Sequence, residues 1–289
     1  MGSNPTTVKD IFSLAKVMVT ASITFTTFTG YVMTTGRMDA LLLPTLMGVL
    51  LMAAGASAFN HFMERESDKV MPRTANRPLP SGRFSPLGVV LVGSLWLVVG
   101  GILLYIYVGW LVVALGLFNA VWYNLVYTPL KRISVYALFA GTITGVVPLF
   151  MGIAAANGNL FHHQAVFVGF FMLIWQVPHF LILLVKYGKE YEMAGLASVT
   201  SKFKPRRVIL IAYLWIIASC VATLYLPLFG LLHHSITGYV ILAIVIAVVT
   251  LVSINVFTKS KSDQFKIPFI LTNIMQAGFM LCLAVDSLV

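Results

Sequence analysis

Nine stretches of this chain, near residues 12–35, 40–63, 86–107, 110–129, 134–156, 164–186, 206–227, 236–257 and 266–287, are mostly apolar over about the 20 residues a helix needs to cross a hydrocarbon core. No water-soluble domain accommodates that many. Hydrophobic residues make up 59% of the chain and charged ones 10%, too few charges to cover a surface facing water, where roughly 25% is usual. The same composition excludes a disordered chain, a coiled coil and a disulfide scaffold. The expected fold is an all-α integral membrane protein, a single domain over 1–289 with nine transmembrane helices. Cys220 and Cys282 both fall inside apolar stretches and read as small buried hydrophobes.

The bases show which way the spans run. Of 19 Lys and Arg, all but Arg37 fall on the side that holds the N-terminus and the connections after even-numbered spans, among them Lys259 and Lys261. The positive-inside rule then predicts a cytoplasmic N-terminus and, with an odd number of spans, an outside C-terminus. Orientation accounts for most of the net charge of +10, so no nucleic-acid partner is required, and the same face attracts anionic lipid head groups of the bilayer. Residues 1–10 are polar and lack both a signal-peptide core and an Arg- and Ser-rich transit segment, which favours the plasma (inner) membrane of a bacterium or archaeon. Met1, Gly2 and Thr6 match a myristoylation signal only formally.

Two connections are long and polar, near 60–85 and 179–205, and there the chemistry is expected. In the first, Asn60, Glu64 and Asp68 are spaced i, i+4, i+8, so a continuing helix places them in one stripe, each displaced by about 40° around the axis. Pro72 predicts an end near Met71. An oxygen-rich stripe at the mouth of a membrane helix suits Mg²⁺, a cation usually held by one or two carboxylates together with substrate phosphate oxygens. Arg73 and Arg77 follow at once, and guanidinium forks match phosphate geometry. Acids for a metal beside bases for an anion point to a diphosphate site; the plain alternative is a solvated loop whose charges neutralise one another.

Asn60-x-x-x-Glu64-x-x-x-Asp68-x-x-Met71-x-Arg73-Thr74-x-x-Arg77-Pro78 resembles the first acidic motif of the UbiA-type intramembrane prenyltransferases. Three further stretches are similar to the haem O synthase branch of that superfamily: Tyr127-Thr128-Pro129-Leu130-Lys131-Arg132, Gly145-Val146-Val147-Pro148 with Gly152, and Trp175-Gln176-Val177-Pro178-His179-Phe180. The match covers roughly 15–200 well and the last three spans by hydropathy alone. The chain departs from the family at Glu64, where Asp is usual, at Lys16-Val17 in place of Lys-Pro, at Glu190-Tyr191 in place of Asp-Tyr, and at Ala197 to Thr200 in place of a Pro-Met-Leu-Pro-like run.

The resemblance implies transfer of the farnesyl group of farnesyl diphosphate to a vinyl group of haem B, on the cytoplasmic side of the membrane. It implies Mg²⁺ held by Asn60, Glu64, Asp68 and Glu190, with Arg73, Arg77, Lys131 and Arg132 stabilising the leaving diphosphate. Tyr127 and Thr128 add hydroxyl donors. Trp122, Tyr123, Asn119 and Asn124 are candidates to line the cavity, of which Tyr123 and Asn124 are retained. Gln176 and His179 fall to the substrate, although Pro178 frees a carbonyl that His179 would otherwise simply satisfy. Lys186 and Lys189 face phosphate or only set topology. A haem A synthase or a terminal oxidase assembly pathway would take the product. The rival readings are a family member with a quinone-ring or other tetrapyrrole acceptor, and a secondary transporter.

Overall fold

A computed structural model describes residues 7–258 and 265–289; Met1, Gly2, Thr6, Lys259 and Lys261 lie outside the described residues. Among the described residues the structure is all helix, without strands, and nine helices are long and apolar enough to cross a membrane. A short helix α1 (Val8–Ala15) precedes the first span α2 (Val17–Thr35). Then come α3 (Leu42–Val70), α4 (Pro86–Tyr107), α5 (Trp110–Ile133), α6 (Ala137–Ala155) and α7 (His163–Lys186). Two short helices, α8 (Gly188–Met193) and α9 (Val199–Lys202), lead to the last three spans, α10 (Pro205–Thr223), α11 (Ser235–Thr258) and α12 (Lys266–Leu288).

Inside a bilayer there is no hydrophobic drive between helices, so close packing through small residues holds them together. A Cβ on Gly55 would sit 2.7 Å from the Gly93 carbonyl, and one on Gly100 would sit 2.8 Å from that of Gly48, so α3 and α4 pack backbone against backbone. Gly152 of α6 does the same against α2, where a Cβ would lie 2.8 Å from the Tyr31 nitrogen. The Gly152 in the sequence motif is therefore a packing residue.

Apolar side chains of α6, α7 and the last three spans form one core, and those of α2 to α6 form another towards the end of the bundle that carries Arg37. At the opposite end the bases gather. There Arg83 Nε donates to Asp10 Oδ1 at 2.9 Å, clamping α1 against the chain ahead of α4. Ser85 caps α4, accepting from the Gly88 amide at 3.0 Å, with Pro86 at the first helical position.

Candidate active site

The expected stripe on α3 is present. The helix runs unbroken to Val70, and Asn60, Glu64 and Asp68 are only 1%, 5% and 0% exposed, so all three face the bundle interior. Buried charges at membrane depth are expensive unless paired, and each here has its partner. Glu64 is ion-paired with Lys131 at the end of α5. Asp68 Oδ2 accepts from Arg77 Nη1 at 2.7 Å, and the chain turns back to bring Arg77 there because Thr74 Oγ1 donates to the Asp68 carbonyl at 3.0 Å. Asn60 Nδ2 donates to Thr128 Oγ1 at 3.0 Å, and its Oδ1 accepts from Lys16 Nζ at 2.6 Å.

Lys16 is the residue that sequence reasoning missed. It sits between α1 and α2 with a left-handed backbone (φ 48°), and this break turns its side chain inward to Asn60 and, at 3.3 Å, to the Tyr123 hydroxyl. Burial pushes its ammonium down to about 8, against the upward pull of Glu64. In the sequence it is one topology-setting base among many, and only its place in the family's Lys-Pro pair hinted at more. Tyr191 was likewise unassigned, yet it lines a small recess with Lys131 and Tyr127.

The second polar segment supplies Glu190 from α8. Its Oε2 lies 3.8 Å from Arg73 Nε, with side-chain exposures of 24% and 35%, and the Arg73 guanidinium stacks 4.3 Å from the Tyr187 ring centroid. Asp68 Oδ1 and Glu190 Oε2 are both buried without a hydrogen-bond partner. Among the described residues no three His, Cys, Asp or Glu side chains converge to hold a metal by themselves. Two carboxylates with open acceptor oxygens, beside cations that fit a diphosphate, match the way Mg²⁺ is usually held, with the remaining ligands drawn from substrate phosphate and water.

Directly below the acids lies an apolar cavity of about 310 Å³ between α2, α3, α5, α6 and α7. Tyr123, Tyr127, Gln176, His179 and Phe180 form its upper wall. The two tyrosines, four residues apart on one helix face, stack with ring centroids 5.8 Å apart in a π-helical turn, Trp122–Tyr127. Pro129 removes the amide that would pair with the Leu125 carbonyl, and the widened turn re-registers the ladder, with the Thr128 amide donating to the Tyr123 carbonyl. Pro148 has a similar effect on α6: it leaves the Thr144 carbonyl without its helical donor, and Asn119 Nδ2 from α5 donates to it at 3.1 Å. Gly145 gives the Gln176 amide its room, since a Cβ there would lie 2.6 Å from the amide nitrogen. The His179 ring packs between Trp175 and Phe269, at 5.4 and 5.1 Å, and α7 runs on through Pro178.

Not every expected residue reaches the cavity. Asn124 is buried elsewhere, its Nδ2 donating to the carbonyls of Ala56 and Ala120 at 3.1 and 3.0 Å, so it ties α5 to α3 and Asn119 takes the lining position instead. Thr128 joins Asn60 to the Tyr123 carbonyl. Arg132 is exposed, donating to the Met63 carbonyl beside an outer surface groove, and Lys186 and Lys189 are exposed at the rim, Lys186 lying 5.0 Å from the Tyr187 ring. Cys220 and Cys282 are unpaired and remote from the site.

Comparison with known proteins identifies the chain's relatives. A family model described as the UbiA prenyltransferase family matches residues 23–274. A protein named protoheme IX farnesyltransferase from Oleidesulfovibrio alaskensis is 30% identical over 277 residues, 96% of each chain. The mitochondrial protoheme IX farnesyltransferase of Homo sapiens is 38% identical over 200 residues, 68% of this chain and 45% of that one. In fold, the chain resembles a UbiA homolog from Archaeoglobus fulgidus solved bound to DMAPP and Mg²⁺, with a TM-score of 0.74 at 13% identity over 96% of this chain and 99% of that one.

Proposed function

We propose that this chain, which belongs to the UbiA prenyltransferase family and is a membrane-embedded prenyltransferase, transfers the farnesyl group of farnesyl diphosphate to a vinyl group of haem B and so forms haem O. One observation carries the reading: buried acids, each with its own cation, share a helix stripe with Asn60, which Lys16 ties to Tyr123 in the aromatic wall of an apolar chamber. The acceptor is supported by the relatives named protoheme IX farnesyltransferase, at 30% and 38% identity.

In this mechanism Arg73, Arg77 and Lys131 receive the diphosphate and stabilise the charge that grows on it as the C1–O bond breaks and the electron pair leaves with oxygen. Mg²⁺ held by Asn60, Glu64, Asp68 and Glu190 would act there as a Lewis acid and offset the same charge. Lys16 fixes Asn60 and the Tyr123 hydroxyl at the boundary between mouth and chamber. The allylic cation stays among Tyr123, Tyr127 and Phe180, whose ring faces favour positive charge and whose bulk keeps water away. The vinyl group supplies its electron pair to C1. Water then adds to the cation left beside the porphyrin and gives up a proton, completing the hydroxyethylfarnesyl side chain. Gln176 and His179 bring polar atoms to the wall against which the acceptor rests. Arg132, Lys186 and Lys189 at the rim act at longer range, raising the local concentration of the anionic substrate.

The distribution of bases supports a cytoplasmic site in a plasma membrane, with the N-terminus on the same side and the C-terminus outside. The product would pass to a haem A synthase or a terminal oxidase assembly pathway. The test is direct: membranes containing the protein, given haem B, farnesyl diphosphate and Mg²⁺, are expected to yield haem O by mass. Absence of that product, with a different acceptor prenylated instead, overturns the assignment.

A further inference from the structure

The chamber has a floor, and nothing in the reaction explains it. On α3 the lining descends from Ser57 and Ala56 to Met52 and Val49, on α5 from Tyr127 to Gly116, and on α6 from Thr144 to Met151. At the deepest point the two methionines meet over the glycine: a Cβ on Gly116 would lie 2.7 Å from Met52 Sδ and 3.0 Å from Met151 Cε. Met52 and Met151 are buried, and Leu104, Val112 and Val147 belong to the core behind them. The floor is therefore a packed wall of thioethers.

Its depth is informative. Met52 precedes Asn60 by eight residues and Val49 by eleven, roughly 12 and 16 Å along the helix. An extended chain covers about 3.5 Å per three bonds, so an isoprene unit of four chain bonds spans roughly 4.5 Å and three units about 14 Å. A prenyl chain whose C1 lies level with Asn60 would end its third unit against the methionines.

We infer that Met52, Gly116 and Met151 set the prenyl chain length of the donor at three isoprene units. The inference rests on the reading of the mouth as a prenyl diphosphate site and names the residues that fix the chain length of the farnesyl donor. A fourth unit has to displace packed thioethers, and a chain of two units leaves apolar wall uncovered. The floor is independent of the acceptor, so its test needs none.

Purified protein in nanodiscs with Mg²⁺ is titrated with the thiolodiphosphate analogues of geranyl, farnesyl and geranylgeranyl diphosphate. Wild type is expected to bind the farnesyl analogue at least about tenfold more tightly than either neighbour. Met52→Ala with Met151→Ala is expected to raise geranylgeranyl affinity relative to farnesyl by about tenfold. Gly116→Val is expected to weaken farnesyl by about tenfold and geranyl by less than about twofold. Gly116→Ala, a smaller intrusion, serves if the valine variant does not fold, with the same direction expected. A geranylgeranyl-to-farnesyl ratio unchanged in the folded double variant overturns the floor alone, as does wild type binding all three equally. Wild type that binds none of them overturns the reading of the mouth and the floor with it.

Discussion

The segment after α3 and the segment after α7 occupy corresponding places in the chain and meet at one site, yet they are built differently. After α3 the helix carries its acids along an unbroken axis, so Glu64 and Asp68 are buried and held by Lys131 and by Arg77 at 2.7 Å. After α7 the helix stops at Lys186, and the six-residue α8 offers Glu190 only partly buried, 3.8 Å from Arg73. A helix fixes a carboxylate in place before substrate arrives, whereas a short helix in a connection positions one more loosely. In the proposed mouth the first acidic segment is accordingly expected to be the rigid half and the second the adjustable half.

This contrast is breakable by measurement. The largest effect is expected for Asp68→Asn, which keeps the shape and removes the charge: turnover should fall by about 10²–10³ while the protein remains folded in detergent. Next comes stability. Lys131→Ala leaves Glu64 buried without its cation and should destabilise the protein by about 3 kcal/mol, while Arg73→Ala, breaking the half-exposed pair, should cost about 1 kcal/mol or less. Equal losses from the two would erase the distinction. Glu190→Gln is expected to lower turnover only about tenfold, checked under the same conditions as Asp68→Asn.

The smallest effect concerns α1. The Thr7 backbone amide and then Arg83 hold the Asp10 carboxyl below its ordinary value, so its contribution is present above about pH 4 and is lost as the pH falls through the lowered pKa. Asp10→Asn should loosen α1, detected as faster amide exchange in residues 8–15, with a change in turnover of less than about threefold. If exchange there stays slow, the clamp on α1 lies elsewhere.

Much of this architecture was legible before any coordinates. The nine spans follow from hydropathy, and the i, i+4, i+8 spacing of Asn60, Glu64 and Asp68 foretells a stripe because a helix repeats every 3.6 residues. What periodicity does not register is a change of helical register or a single backbone torsion. The π turn at Trp122–Tyr127 is one such change, and the left-handed Lys16 brings inward a base that composition alone counts among the topology signals. The signals were present in Pro129 and in the charge at the very start of a span, but both have commoner explanations. The methionine floor was equally hidden, since its three residues come from three spans.

The central claim, that one acidic segment is preformed and the other adjustable around a shared divalent cation, is tested most directly by titrating Mg²⁺ against farnesyl diphosphate consumption in wild type, Glu190→Gln and Asp68→Asn. EDTA is expected to abolish consumption in wild type and added Mg²⁺ to restore it. Glu190→Gln should recover most of its turnover at about tenfold higher Mg²⁺, whereas Asp68→Asn should stay inactive at every concentration. Equal rescue of both variants, or wild-type consumption that survives EDTA, contradicts the account.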